Sequence, residues 1–281
     1  MNDTVYLNGV YGPATEAKVS VFDRGFLFGD GVYEVMPFYQ GRAFGWEGHM
    51  ERFERSLGAI DIPNPHTERQ WRDIATQLLA ANGDTQLIYL QVTRGVAVPR
   101  KHTYDQGMTP TVFASSISFT PVQTSGMSVI TLLDERWEHC HIKSLNLLPN
   151  VLATQQAKRE GVPEAILIHD GFVTEGASSN VFIVKNNEIF TPPTDGSILR
   201  GVTRGIICDL CASLGYRVKE EPISIDALIN ADEVWLSSVG KEITPVIKID
   251  GQPIANGKPG PVWERAYPMY QECIKRDAHA L

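Results

Sequence analysis

The sequence predicts an α+β protein with two domains. Its 281 residues leave room for one large domain or two modest ones, and 43% hydrophobic with 21% charged residues is ordinary globular composition. Strand-like and helix-like spacings of apolar residues occur in both halves of the chain. A stretch containing Pro, Ser and Gly at 121–126 separates two predicted strands. We therefore expect a small domain at 1–120, a linker at 121–126 and a larger domain at 127–281.

The first domain is predicted to contain a sheet and two helices. Three glycines between Asp23 and Gly31 favour a tight loop rather than a helix there, and residues 95–107 form a long loop. The predicted strands are a hairpin around Asn8–Gly9 and the segments Val32–Tyr39, Leu87–Thr93 and Thr111–Phe119. The predicted helices are Trp46–Ile60 and a second one that Thr67 starts and that continues through Leu79.

The second domain again mixes strands and helices. The predicted strands are Met127–Leu133, Ala165–His169, a strand beginning at Phe172, the hairpin of 180–184 with 188–190, and Val234–Ser237. The predicted helices are Asn150–Glu160, Thr203–Leu214 and Val262–Lys275. Thr203 is the expected N-cap of its helix, and Gly215 is placed to end it.

Composition argues against several classes of protein. The net charge is −8 and no run of Lys or Arg is present, so we expect no nucleic-acid partner. No apolar stretch approaches the roughly 20 residues of a membrane helix, and the first residues lack the features of a signal peptide. Four cysteines do not make a disulfide framework. We expect reduced thiols and a cytoplasmic protein.

Two groups of residues have the types and spacing of metal ligands. Cys208 and Cys211 are two residues apart, but they lie among apolar residues of a predicted helix, which favours buried thiols over zinc or redox chemistry. The run His139-Cys140-His141 would lie on a strand, where neighbouring side chains point to opposite faces. We predict no metal site.

Lys143 lies in a short, mostly apolar segment at 141–146. A surface lysine at a strand end is the ordinary interpretation of such a residue, and the segment alone does not exclude it. A partly buried amine can instead attack an aldehyde and form a Schiff base. Lys143 is therefore a candidate catalytic residue that would hold an aldehyde cofactor.

Glu175 lies at a predicted strand end and is followed by small residues and Asn180. It could be a solvated residue of a hairpin. Alternatively, its carboxylate could keep a pyridine nitrogen protonated, so that the ring takes up electron density from a substrate carbon. The small residues would let the backbone approach a flat ring closely.

A phosphate site is predicted where residues 199–204 run into a helix. The amides of Val202 and Thr203 would lie at the positive end of the helix dipole, although a plain helix cap explains the same residues. Residues 237–240 offer further hydroxyls and amides. Arg52 could add a charge-assisted contact to the phosphate, or it could be a solvated residue of its helix.

Six stretches of the chain occur in an order that is typical of one enzyme family. They are FGDGVYEV at 28–35, HMER at 49–52, KSLNLLPNVLA at 143–153, TEGASSNVF at 174–182, LRGVTR at 199–204 and EITPV at 242–246. The chain thus resembles the fold-type IV (class IV) pyridoxal phosphate enzymes, most closely the D-amino acid transaminases. The resemblance implies a smaller N-terminal α/β domain and a larger C-terminal domain with a pseudo-barrel sheet. It also implies pyridoxal 5'-phosphate as the cofactor.

The resemblance also implies roles for individual residues. Lys143 would form the Schiff base and move the proton, Glu175 would face the pyridine nitrogen, and Leu199 would pack on the ring. The phosphate site would comprise Arg52, Val202, Thr203, Ser238 and Val239. This chain departs from the family pattern in having Val239 and Gly240 where Ser or Thr is expected, so only the backbone can serve at 239.

Residues 99–102 resemble the Arg-x-His pair with which D-amino acid transaminases hold the substrate carboxylate. Arg100 could grip a carboxylate with two parallel hydrogen bonds, and His102 and Tyr33 could add donors. In the family this loop comes from the neighbouring subunit, which implies a homodimer. A mobile, solvated basic loop is the alternative. The loop is also one residue longer than expected, with Val96, Ala97 and Val98 before the proline.

The predicted function is ping-pong transamination between D-amino acids and 2-oxo acids. Branched-chain L-amino acid transaminases share the cofactor site, and aminodeoxychorismate lyases and (R)-selective amine transaminases are further alternatives. A non-catalytic binding protein that keeps only the fold is an alternative of another class. The presence of both Lys143 and Glu175 argues against a binding protein, which needs neither.

Overall fold

The computed structural model describes residues 3–119 and 124–280, which form two compact units. The first unit comprises 3–119, 142–146 and 277–280, and the second comprises 124–141 and 147–276. Residues 121–123 of the predicted linker lie outside the described residues. The units are discontinuous in sequence, because the short segment that contains Lys143 belongs to the first one.

The first unit is built from a sheet and three helices among its described residues. Its strands are β1 (Thr4–Leu7), β2 (Val10–Pro13), β3 (Gly31–Tyr39), β4 (Arg42–Ala43), β5 (Gln86–Thr93), β6 (Thr111–Ser118) and a last strand at His279–Ala280. Its helices are α1 (Arg24–Phe28), α2 (Trp46–Ala59) and α3 (Glu68–Asn82). A capping box starts α3: the Thr67 hydroxyl accepts from the Gln70 amide, and the Gln70 side chain accepts from the Thr67 amide.

The described strands of the first unit form one antiparallel sheet, in which neighbouring strands follow the order last strand-β4-β3-β5-β6-β1-β2. The core lies on one face of β3, where Val32, Met36 and Phe38 are buried together with Phe53 of α2 and Trp71 of α3. The apolar period of 3.6 in the helices and of 2 in the strand produces this layer. Glu34 shares the buried face of β3 and is a charged residue inside the core.

The predicted tight loop between Asp23 and Gly31 is wrong, because α1 occupies residues 24–28. The Asp23 carboxylate caps the helix by accepting from the Gly25 amide, and Gly29 ends it with a φ of 66°. A Cβ on Gly25 would lie 2.3 Å from a Thr93 methyl carbon. Glycine is therefore needed here for close packing inside a helix, and not for a turn.

The second unit also combines strands and helices. Its strands are β7 (Met127–Leu133), β8 (Glu164–His169), β9 (Phe172–Gly176), β10 (Asn180–Lys185), β11 (Glu188–Thr191), β12 (Arg217–Glu220), β13 (Ile223–Ser224), β14 (Glu233–Ser238), β15 (Glu242–Ile249) and β16 (Gln252–Pro253). Its helices are α4 (Leu148–Arg159), α5 (Val202–Ser213), α6 (Ile225–Ile229) and α7 (Pro261–Asp277), of which the last residue falls in the first unit. In this chain-order numbering, the last strand of the first unit (His279–Ala280) is β17.

The sheet of the second unit is mixed. Its strands follow the order β12-β11-β10-β14-β15-β7-β8-β9-β13, and β16 pairs with β15. The β7 strand pairs in parallel with β15 and β8, whereas β10 pairs antiparallel with β11 and β14. The turn between β10 and β11 places Asn186 and Asn187 at positive φ, as the predicted hairpin requires.

Over the described residues, no helix combines the length and the apolar composition that crossing a membrane requires.

Replacement of Gly31 by alanine is expected to destabilise the first unit. A Cβ there would lie 2.6 Å from the Val92 carbonyl oxygen and 2.9 Å from a Leu145 methyl carbon. The Val92 backbone cannot move aside as a flexible side chain would. We therefore expect the free energy of unfolding, measured in urea, to fall by about 1–3 kcal/mol. Gly12→Ala is the matched control, since a Cβ there meets nothing within 4 Å. Equal stability of the two variants would contradict this account.

Candidate active site

The Lys143 segment lies against β3 through backbone hydrogen bonds. The Tyr33 amide donates to the Lys143 carbonyl at 2.9 Å, and the Leu145 amide donates to the Gly31 carbonyl at 3.0 Å. The Lys143 amide donates to the hydroxyl of buried Ser56 in α2 at 3.2 Å. The lysine backbone is therefore fixed from both sides, by the strand and by the helix.

The Lys143 side chain is half-buried, and its Nζ lies 4.3 Å from the centre of the Tyr33 ring. Tyr33 in turn stacks on Tyr89 of β5, with ring centres 5.6 Å apart. Burial and the neighbouring Tyr33 raise the pKa of Tyr89, whose hydroxyl donates to Gln91 at 2.8 Å. Two predicted site residues, Lys143 and Tyr33, are thus in contact on an aromatic surface.

Arg52 is buried and paired with Glu34. Its Nε donates to one carboxylate oxygen at 2.9 Å, and a terminal nitrogen donates to the other at 2.5 Å. His49, one helical turn earlier, contacts the same carboxylate at 3.0 Å through Nδ1. The three residues are at most 4% exposed. The alternative that Arg52 is a solvated helix residue is therefore wrong, and its contact with a phosphate stays a prediction.

The buried triad has a defined charge state. Burial raises the pKa of Glu34, but the charge of Arg52 and the hydrogen bonds from His49 and Arg52 outweigh burial and hold this pKa well below its usual range. Burial lowers the pKa of His49, and the charges of Arg52 and Lys143 lower it further against the opposing effect of Glu34. At neutral pH the triad therefore contains a carboxylate, a guanidinium and a neutral imidazole.

Glu175 is held by a second buried ion pair. Arg136 donates to one oxygen of Glu175 and makes two hydrogen bonds to Asp134, at 2.7 and 2.9 Å. Asn180 and the Leu199 amide each donate to the other Glu175 oxygen at 3.1 Å. Burial lowers the pKa of Arg136, but Asp134 and Glu175 outweigh that effect and raise it. The carboxylate of Glu175 is thus oriented by three neighbouring groups, and the residue is only 6% exposed.

Asn180 connects Glu175 to the start of α5. Its amide nitrogen also donates to the Leu199 carbonyl at 2.9 Å, and its oxygen would lie 2.0 Å from a Cβ on Gly201. Gly201 is the N-cap of α5 and makes no side-chain cap hydrogen bond. The first amides of a helix have no intrahelical acceptor, and they can bind an anion.

The predicted N-cap role of Thr203 is wrong. The cap lies two residues earlier at Gly201, and Thr203 is a buried residue of the first turn whose side chain hydrogen bonds to Tyr270 of α7. The close approach of Asn180 to the backbone requires glycine at the cap. The amides of Val202 and Thr203 still lie in the first turn, as the phosphate prediction requires.

Two buried hydroxyls of the second unit lack a hydrogen-bond partner within the part of the chain that the structure describes, those of Ser179 and Ser237. Ser237 pairs across the sheet with Asn180, so the two side chains share a face. Ser238 ends β14, and its hydroxyl accepts from the Lys241 amide at 3.2 Å across a turn that contains Val239. Unsatisfied hydroxyls beside an ordered carboxylate and a helix N-terminus fit a phosphorylated pyridine.

Arg100 and His102 are exposed and contact the same ring. The Arg100 guanidinium lies 4.3 Å from the centre of Phe28, and the His102 ring centre lies 5.4 Å from it. The two predicted carboxylate ligands are thus brought together at the end of α1. Both side chains of the basic loop therefore pack against Phe28 of the same chain. This contact favours an ordered loop over the alternative of a mobile, solvated one.

The cysteines and histidines that have the spacing of metal ligands lie in two different environments. Burial raises the pKa of Cys208 to about 11 and of Cys211 to about 12, as expected for thiols packed in a helix. Residues 139–141 lie in a turn, so the strand predicted for them is wrong. The Cys140 thiol donates to the Trp137 carbonyl at 3.0 Å, and this contact belongs to the turn that follows Arg136.

Sequence reasoning missed Glu34, His49 and Arg136 as parts of the site. A glutamate between Val32 and Met36 in an apolar strand is a signal for a buried charge, and a buried charge needs a partner. His49 and Arg52 stand three residues apart on one helix face, which is where a shared partner would be sought. Arg136 has no comparable local signal.

Comparison with known proteins identifies the family of the chain. A family model described as Amino-transferase class IV matches residues 31–249. The chain belongs to this family. The predicted family resemblance and the mixed α+β fold class are therefore confirmed.

Relatives with assigned activities match the chain along almost its whole length. A D-alanine aminotransferase of Bacillus licheniformis is 42% identical over 274 residues, with 96% of each chain covered. One of Staphylococcus haemolyticus is also 42% identical, over 96% of this chain and 98% of its own.

Solved structures of other aminotransferases share the fold. The branched-chain amino acid aminotransferase of Escherichia coli is 26% identical with a TM-score of 0.88, over 97% of this chain and 94% of its own. A branched-chain aminotransferase of Thermoproteus uzoniensis, solved with norvaline, is 27% identical with a TM-score of 0.85, over 96% and 93% of the two chains.

Glu34→Gln is expected to destabilise the protein and to change its response to acid. Removal of the charge leaves Arg52 buried without its carboxylate, which costs about 3–5 kcal/mol at neutral pH. Because the pKa of Glu34 is lower in the folded chain, its contribution is present at neutral pH and is lost as the pH falls below its ordinary value of 4.5. Urea unfolding between pH 3 and pH 7 measures both effects.

The difference in stability between wild type and Glu34→Gln should therefore shrink on acidification. Glu51→Gln is the matched control, because Glu51 lies next to Arg52 in α2 but is exposed and pairs with exposed Arg55. A constant difference across this pH range would show that Glu34 is not the ionised partner of Arg52.

Proposed function

We propose that this chain is a pyridoxal 5'-phosphate-dependent aminotransferase that exchanges amino groups between D-amino acids and 2-oxo acids in a ping-pong reaction. D-Alanine with 2-oxoglutarate, giving pyruvate and D-glutamate, is the representative pair. The observation that carries the proposal is the 42% identity to D-alanine aminotransferases over nearly the whole chain. The branched-chain enzymes share the fold at 26–27% identity, which supports the same chemistry more than the same substrates.

The proposed cofactor site is assigned residue by residue. Lys143 would hold the cofactor through its amine, and Glu175 would face the pyridine nitrogen, where Arg136 and Asn180 fix its carboxylate. Leu199, half-buried before α5, would pack on the ring. The phosphate would be held by Arg52, by the amides of Val202, Thr203 and Val239, and by Ser238. When bound, pyridoxal phosphate supplies an electron sink for the bond broken at the substrate α-carbon.

Lys143 would also act as general base and acid. Its Nζ would take the proton from the substrate α-carbon and would deliver it to the cofactor, as the transfer of the amino group requires. The Tyr33 ring, 4.3 Å from this atom, limits where the amine can lie. The hydrogen bonds from β3 and Ser56 keep the lysine backbone in place while the side chain moves.

The substrate carboxylate would be bound by Arg100, with His102 and Tyr33 as further donors. A guanidinium suits this task because it presents two parallel N–H groups to a carboxylate. We propose that the loop acts in the site of the neighbouring subunit of a homodimer. We also propose a cytoplasmic enzyme, which the free thiols of Cys140, Cys208, Cys211 and Cys273 support.

The half-reaction with single amino acids tests the proposed substrate. Holoenzyme is mixed with D-alanine or with L-leucine, and the absorbance of the bound cofactor is recorded. We expect conversion to the amino form of the cofactor with D-alanine and at most a trace with L-leucine. Turnover with 2-oxoglutarate as second substrate is the accompanying measurement.

Other outcomes of this experiment point to the alternatives. Reaction with L-leucine alone would identify a branched-chain L-amino acid transaminase. Pyruvate release without an amino acceptor would indicate a lyase, and reaction with an amine that lacks a carboxylate would indicate an amine transaminase. A colourless protein that ignores added cofactor would indicate a binding protein.

Lys143→Ala is expected to lower turnover by about 10⁴-fold or more, because one residue provides both cofactor attachment and proton transfer. Initial rates with D-alanine and 2-oxoglutarate measure this loss. The control is Lys158→Ala, which removes an exposed lysine from the last turn of α4 and should leave the rate unchanged. A Lys143→Ala enzyme within tenfold of the wild-type rate would overturn the assignment of Lys143.

A further inference from the structure

The loop that carries Arg100 and His102 is bound by one buried side chain. Arg24 donates to the Lys101 carbonyl at 2.7 Å, to the His102 carbonyl at 3.0 Å and to the Thr103 carbonyl at 3.3 Å. These three consecutive carbonyls belong to the backbone that flanks or contains the proposed carboxylate ligands. The conformation of the loop at these residues is therefore set by the position of one guanidinium.

Arg24 is itself fixed. It is 4% exposed, and its Nε donates to Asp30 at 2.7 Å. Asp30 also accepts from Arg94, at 2.9 and 3.0 Å. Burial raises the pKa of Asp30, but the hydrogen bonds and charges of Arg94 and Arg24 outweigh it and lower this pKa, so the carboxylate is charged at neutral pH. The loop is thus attached to a buried ion network.

Helix α1, which contains Arg24, also contacts the side chains of the loop. Phe28 stands four residues after Arg24 in α1, so both lie on one face of the helix. The Arg24 guanidinium lies 4.9 Å from the centre of the Phe28 ring, which Arg100 and His102 also contact. Helix α1 therefore sets both the backbone of the loop, through Arg24, and the two side chains, through Phe28.

We propose that Arg24 is a positioning residue for substrate binding, which holds Arg100 and His102 in the geometry that binds the substrate carboxylate. This inference rests on the proposed role of that loop in D-amino acid transamination. Arg24 acts through the loop backbone and does not itself touch the substrate. A lysine cannot replace it, because one ammonium nitrogen cannot reach Asp30 and three carbonyls as the planar guanidinium does.

A double-mutant cycle with two kinds of substrate tests the proposal. Arg24→Ala, Arg24→Lys, Arg100→Ala and the double variant Arg24→Ala/Arg100→Ala are assayed as holoenzymes with D-alanine and with ethylamine, which lacks the carboxylate. We expect either Arg24 variant to raise KM for D-alanine about tenfold or more, since a displacement of about 1 Å can cost about 100-fold. The half-reaction rate with ethylamine should change less than about twofold.

Coupling within the cycle separates positioning from general damage. In the Arg100→Ala background, Arg24→Ala should raise KM by a smaller factor than in the wild type, because one of the two groups that it positions is gone. Arg55→Ala removes an exposed arginine of α2 and is the matched control, expected to leave KM unchanged. Urea unfolding of each variant measures its stability, and Arg24→Lys provides the readout if Arg24→Ala fails to fold.

The possible failures are distinguishable. A wild-type enzyme inactive on D-alanine, or an Arg100→Ala variant with unchanged KM, would overturn the proposed function. If the wild type is active and Arg100→Ala raises KM, two results would overturn the role of Arg24. One is an unchanged KM in both Arg24 variants, and the other is an equal loss of rate with D-alanine and ethylamine.

Discussion

The pairing of residues 142–146 with β3 is the constraint on which the site depends. Two backbone hydrogen bonds, from Tyr33 to Lys143 and from Leu145 to Gly31, join the segment to the first unit, while the chain before and after it belongs to the second. Backbone hydrogen bonds fix register, and a shift by one residue would turn Lys143 to the opposite face. Gly31 is needed at this point because any side chain would meet Val92 and Leu145. The backbone of Lys143 is therefore positioned by strand pairing, and the Tyr33 ring limits where its amine can lie.

Three carboxylates of the two units, those of Glu34, Glu175 and Asp30, are each held by at least one arginine. Glu34 is held by Arg52, Glu175 by Arg136, and Asp30 by Arg24 and Arg94. Breaking such a pair costs more than the pair contributes, because the remaining charge stays buried. This cost keeps each carboxylate paired, and the lowered pKa values of Glu34 and Asp30 keep these two ionised at neutral pH. Rigid, charged groups suit a site that must orient a cofactor and a substrate without reorganisation.

The sequence predicted the long elements well and the local chemistry less well. The strand at Val32–Tyr39 and the helices starting near Trp46 and Thr67 were predicted within a few residues, because their apolar periods are long and regular. The short helix α1 was missed, since three glycines in nine residues favour a loop when the packing of Gly25 against Thr93 is unknown. Thr203 was assigned as N-cap from residue type, whereas the contact between Asn180 and Gly201 that moves the cap is non-local. The contacts of Arg136 with Glu175 likewise join residues 39 positions apart.

The segment before Pro99, where the sequence predicts one residue more than the family pattern, is bounded by contacts on both sides. The Ala97 amide donates to the Phe22 carbonyl at 3.2 Å, and Val96 forms a bridge with Asp23. Beyond the proline, Arg24 binds the next three carbonyls after Arg100. Residues 22–24 thus hold the loop on both sides of Pro99, and between these contacts Val98 is 70% exposed. We therefore expect an additional residue in this segment to change the path of the loop locally and to leave the backbone of residues 101–103 attached to the ion network.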